Sequence, residues 1–132
     1  MKVFLSFLLA LALAGCGANK SDEGPLTFPD DPDGLVLTQL VQAGSDLQKP
    51  HLISYYLYVP SKPAAEGVCL TLAGRGYETE VQPPAVGADW LCLVAESVIP
   101  SHATLLKRRR GFEQLVAMHG GQYDGWETRV ER

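Results

Sequence analysis

The side chains able to do chemistry in this sequence are few, and their spacing argues against most of the reactions they suggest. His51, His102 and His119 fall on three separate elements and lack the spacing of a metal-ligand set. Asp30, Asp31 and Asp33 ahead of Gly34 look like part of a calcium loop. With Gly34 at the sixth loop position, however, Pro29 falls first and Leu40 twelfth, where carboxylates are required. Gly74-Arg75-Gly76 closes a helical pattern instead of following a strand, so it does not make a phosphate loop. Ser61, Ser97 and Ser101 have no nucleophile-elbow context. No catalytic constellation emerges. The expectation is a protein that is not an enzyme and takes neither cofactor nor metal.

The cysteines are more informative. Cys16 follows Met1-Lys2, an apolar run from Val3 to Ala14 broken only by Ser6, and the exit Leu13-Ala14-Gly15. A short positive start, an apolar stretch too short to span a bilayer and a small-residue exit are the parts of a secretory signal. The cysteine directly after Leu-Ala-Gly resembles a bacterial lipoprotein signal, which implies cleavage before Cys16 and acylation (palmitate among the chains) of its thiol. Gly17 is not the aspartate of an inner-membrane retention cue, so an envelope lipoprotein facing the periplasm, on the outer membrane where there is one, is expected. Cys69 and Cys92 sit in apolar runs. Two states stay open for them: buried thiols acting as small hydrophobes, or a disulfide formed in an oxidising compartment.

The organisation follows as residues 1–15 signal peptide, 16–30 lipidated tether and 31–132 a single domain. Gly17 to Pro29 is polar and aperiodic, and as a flexible chain it would reach ~20 Å. The whole chain has 132 residues with 15 acidic and 11 basic side chains, a net charge of −4. Loss of Lys2 would leave 10 basic residues against 15, about −5. That field does not draw the domain to phosphate backbones, so no direct nucleic-acid partner is expected.

Periodicity supplies the elements. Asp31 caps a short helix with Pro32 in its first turn, Leu37, Leu40 and Val41 inward, and Gly44 as its stop. His51 to Val59 alternates as a strand with Ile53, Tyr55, Leu57 and Val59 toward the core. Ser61-Lys62-Pro63 opens a helix with the stripe Ala65, Val68, Cys69 and Leu72, ended by Gly74 and Gly76. Tyr77 to Gln82 is an edge-like strand, and Trp90 to Ala95 a strand buried at the centre of a sheet. Ser101 caps a helix to about His119, with Leu105, Phe112, Leu115, Val116 and His119 inward and Gly111 permitting a bend. Tyr123 to Val130 is the last strand, bulged at Asp124-Gly125. The fold class is α+β: a ferredoxin-like βαββαβ unit, a four-stranded antiparallel sheet with helices on one face, preceded by one short helix.

Tyr123-Asp124-Gly125-Trp126-Glu127 on that last strand resembles the regulator of ribonuclease E activity B (ribonuclease E inhibitor B) family. Asp33-Gly34-Leu35, Gly44-Ser45-Asp46 and Gly76-Tyr77-Glu78 add shorter matches, and the likeness runs from about Asp31 to Glu127. The resemblance implies a ferredoxin-like domain that acts by binding, with ribonuclease E as the protein partner and inhibition of RNA cleavage as the result. This chain differs by its export and lipidation signal and by having no long acidic tail before Arg132.

For Tyr123, Asp124, Gly125 and Trp126 two roles are open. In one, Trp126 packs on a helix, Gly125 permits the bulge and Asp124 bonds nearby amides; in the other, the block touches a partner. Tyr56 and Tyr58 lie on the strand face opposite the core, where aromatics can anchor a protein. The basic-Gly-aromatic signature of an RNA-recognition sheet is missing from Trp90 to Ala95. The stems of Lys107-Arg108-Arg109-Arg110 are expected to wrap their helix, with the charged heads reaching water or the acidic N-terminal region. The expected function is a non-enzymatic inhibitor domain held at a membrane through lipid on Cys16 and acting on an extracytoplasmic protein, such as a toxin neutralised by an immunity-type inhibitor. The alternative is a cytoplasmic inhibitor of ribonuclease E, if the signal is not used.

Overall fold

The computed structural model describes residues 26–132. The expected signal peptide, Cys16 and most of the expected tether lie outside the described residues. Three helices and four strands follow in the order α1 (Pro32–Gln42), β1 (His51–Val59), α2 (Lys62–Ala73), β2 (Glu78–Gln82), β3 (Trp90–Val98), α3 (His102–Ala117) and β4 (Gln122–Glu127). Each helix starts at a side-chain cap that satisfies an otherwise orphaned amide. Asp31 accepts from the Gly34 amide at 2.8 Å, Ser61 from Ala64 and Ser101 from Thr104, both at 3.2 Å.

The strands form one antiparallel sheet in the spatial order β2-β3-β1-β4. This is the ferredoxin-like arrangement expected from the element order, with the two long strands at the centre. Alternation on β1 sends Ile53, Tyr55, Leu57 and Val59 to the helix-covered side, where all four are fully buried. Val68 and Leu72 of α2, Leu105, Phe112 and Val116 of α3, and Leu37 of α1 complete the core. The Tyr55, Tyr77 and Tyr123 rings surround Phe112, with centroids 4.8, 5.6 and 5.7 Å from it. The sulfurs of Cys69 on α2 and Cys92 on β3 are bonded at 2.05 Å, which ties that helix to the sheet.

Several boundaries differ from the sequence expectation. The third strand runs three residues past Ala95, with Glu96, Ser97 and Val98 paired to Ile53, Leu52 and His51 of β1. Helix α3 stops at Ala117, and His119, expected inward, lies beyond its end and is only half-buried. The helix passes through Gly111 without interruption. Val41 is half-buried, and β4 ends at Glu127 instead of Val130. The expected bulge is present: Tyr55 pairs with Trp126 and Leu57 with Tyr123, so Tyr56 faces the extra residue, and Gly125 takes the positive φ of 107°.

Candidate functional site

Two of the residues that carry the family likeness, Asp33 and Trp126, meet inside the domain. Asp33, in the first turn of α1, is 1% exposed. Its carboxylate accepts from Arg109 Nε and Nη2 of α3 and from Trp126 Nε1 of β4, each at 3.0 Å. Next to it Gly34 has no room for a side chain, since a Cβ there would run into the Pro29 carbonyl oxygen. Three elements, α1, α3 and β4, are therefore joined by one buried charge-assisted cluster. The Arg109 guanidinium also lies 5.1 Å above the Tyr123 ring. Burial pushes the Tyr123 phenol up from its ordinary value, and its buried hydroxyl has no hydrogen-bond partner among the described residues.

The shorter matches have similar work. Ser45 accepts the Glu131 amide at 2.9 Å and gives its hydroxyl to His51 Nε2 at 2.7 Å, while His51 Nδ1 donates to the Lys49 carbonyl at 2.8 Å. His51 is fully buried at the head of β1, a role its sequence position did not announce. His102 donates through Nε2 to Asp31 at 2.8 Å; it shares no site with His51 or His119. A second ion cluster joins sheet to helix: Arg108 holds Glu96 at 2.6 and 3.2 Å, and Tyr55 donates to the same carboxylate at 2.6 Å. The basic run on α3 is thus divided, with Arg108 turned to the half-buried Glu96, Arg109 to the buried Asp33, and Lys107 and Arg110 exposed.

Of the residues singled out for partner contact, Tyr123 and Trp126 are each 8% exposed and face the helices. They shape the domain from within. Tyr56, Tyr58 and Asp124 lie on the opposite, uncovered face of the sheet. Asp124 is exposed at the margin of that face, not turned to nearby amides.

The cross-strand register assembles that face row by row. Gln82, Leu91, Tyr58 and Gln122 make one row; Glu80, Leu93 and Tyr56 make the next and end at the bulge. Glu78, Ala95, Ser54 and Glu127 make a third, and Ser97 with Leu52 a fourth. The centre is aromatic and aliphatic, while Glu78 and Glu80 line one margin and Asp124 and Glu127 the other. These rows hold no Lys or Arg. Tyr56 donates to Glu127 at 2.8 Å, which fixes the ring and holds the phenol above its usual value. Beside Tyr58 lies a shallow depression of about 350 Å³ lined by Ala85, Val86, Asp89, Gln122 and Asp124.

Among the described residues no group of three or more His, Cys, Asp or Glu is placed to hold a metal ion, and no helix is long and apolar enough to cross a membrane. No curated protein matches the chain. A family model described as regulator of ribonuclease activity B matches residues 30–128, from the residue before the α1 cap to just past β4. Its span includes all three elements joined at Asp33, Arg109 and Trp126, and the chain belongs to the regulator of ribonuclease activity B family.

Proposed function

We propose that this domain is a non-enzymatic inhibitor that is exported, anchored by lipid on Cys16, and binds an extracytoplasmic protein through the uncovered face of its sheet. The observation that carries the binding half is the contrast between the motif aromatics Tyr123 and Trp126, which are buried, and Tyr56 and Tyr58, which stand on an uncovered face between acidic margins. Tyr56, half-buried and fixed by its hydrogen bond to Glu127, loses little freedom on binding and serves well as an anchor. Export is supported by the signal-like sequence ending at Cys16 and by the Cys69–Cys92 bond, because structural disulfides persist in oxidising compartments and are rare in the cytosol. An immunity-type inhibitor that neutralises a toxin at the envelope is one concrete form. Absence of a toxin gene beside this one, together with no envelope partner on tagged recovery, would remove that form.

The family match favours a second role, a cytoplasmic inhibitor of ribonuclease E that modulates RNA decay. It requires that the N-terminus is not used as a signal. Metabolic palmitate labelling of the wild type and of Cys16→Ala separates the two. Label on the wild type alone is expected for the lipoprotein, and an unlabelled wild type sinks it in favour of the cytoplasmic regulator.

A further inference from the structure

We infer that the uncovered sheet face seats a cationic segment of the partner protein, one that lays an apolar side chain against Tyr56 and Tyr58 and turns Lys or Arg to the acidic margins. This rests on the protein-binding role proposed above and adds the chemistry of the occupant. The two charge layers of the domain are segregated. On the helix side, Asp33 and Glu96 are each met by an arginine. On the uncovered side, Glu78, Glu80 and Asp124 are exposed and form no ion pair among the described residues. Asp89 adds a further exposed carboxylate at the rim of the depression.

Geometry sets the size of the occupant. The acidic margins lie on the edge strands β2 and β4, three inter-strand steps apart, roughly 14 Å at ~4.8 Å per step. That spacing matches a single helix, about 10–12 Å across with its side chains, or an extended segment flanked by long basic residues. The aliphatic stems of Lys or Arg would cover Leu93 and Ala95 while their heads reached the carboxylates. Other occupants fit poorly. An RNA backbone or an anionic lipid surface would be repelled, and a second copy of this face would set carboxylate against carboxylate.

The test places a photoreactive benzoylphenylalanine in the full-length chain, in producing cells, at Val86 or at Leu52. These positions are 92% and 59% exposed and bracket the face; Leu70 of α2, 76% exposed on the other side of the domain, is the control. Adducts from Val86 and Leu52, with the attached peptide sequenced as a segment of net positive charge containing an apolar residue, are expected. The double variant Glu78→Lys/Glu80→Lys should lower adduct yield at least tenfold, the order that two lost charge contacts produce. Adducts from Leu70 alone would overturn the inference and leave the binding role standing on another surface. Adducts at none of the three positions would overturn both. An acidic or neutral segment, a second copy of the chain, RNA or lipid as the attached species, or a yield unmoved by charge reversal, would each overturn the inference.

Discussion

Tyr55 and Tyr56 are neighbours on one strand, and each gives its hydroxyl to a glutamate: Tyr55 to Glu96 at 2.6 Å, Tyr56 to Glu127 at 2.8 Å. Their surroundings separate them. Tyr55 is fully buried, and Arg108 clamps its glutamate, so the pair is a weld between sheet and helix. Tyr56 is half-buried, its glutamate is exposed, and no arginine meets that carboxylate among the described residues. One residue of strand alternation thus assigns the same chemistry to cohesion on one face and, in the function proposed above, to recognition on the other. Variants on the helix-covered side should unfold the domain; variants on the uncovered side should leave it folded and abolish binding.

The largest effect is expected at Asp33. Asp33→Ala leaves Arg109 and the buried Trp126 indole without their acceptor, and should cost about 3–4 kcal/mol in urea unfolding. A loss below about 1 kcal/mol would mean the cluster does not hold the two family segments together. Opening the Cys69–Cys92 bond by Cys→Ser at both positions should cost about 3 kcal/mol, since it frees a loop spanning a separation of 23 residues. Equal melting with and without reductant would show the bond adds nothing.

Next comes pH. Burial first, and then the hydrogen bond to Glu96, hold the Tyr55 phenol far above its ordinary 10.0. The folded domain keeps that proton after the unfolded chain has released it. Tyr55 therefore supports the fold fully below pH 10.0 and withdraws that support as pH rises further. In urea midpoints taken between about pH 9 and about pH 11, Tyr55→Phe should flatten the alkaline loss of stability; an unchanged slope would assign that loss to other groups. The smallest effect on folding belongs to Tyr56→Phe, within about 0.5 kcal/mol of wild type, because its partner is exposed. A larger cost would erase the division between the two faces.

Much of the scaffold was legible in the sequence because it is written locally. Caps at Asp31, Ser61 and Ser101, the alternation from Ile53 to Val59, and glycine at the β4 bulge each act within a few residues. The interior ion clusters were legible only in outline: the basic run was expected to reach water or the acidic N-terminal region, and Arg109 does reach Asp33 there. Arg109 is 76 residues from Asp33, and Trp126 is 93. Within Lys107-Arg108-Arg109-Arg110 nothing local says which two heads turn inward. Glu96 fell just outside the strand read from Trp90 to Ala95, although its partner Arg108 is only 12 residues away, nearly two turns into α3. The uncovered face was half legible. Alternation placed Tyr56 and Tyr58 on it, but the acidic margins emerge only when the register sets β2 and β4 on opposite sides of β1 and β3. The Tyr123-Asp124-Gly125-Trp126 block, the clearest family mark, turned out to speak mainly of packing, with Asp124 alone fully outside.

The division of labour between the faces is tested most directly by the double variant Tyr56→Ala/Tyr58→Ala, measured for melting temperature and for in-cell partner crosslinking on the same preparation. A melting temperature within about 3 °C of wild type, together with at least a tenfold loss of crosslinked partner, is the predicted result. Wild-type crosslinking by a stably folded double variant would contradict it.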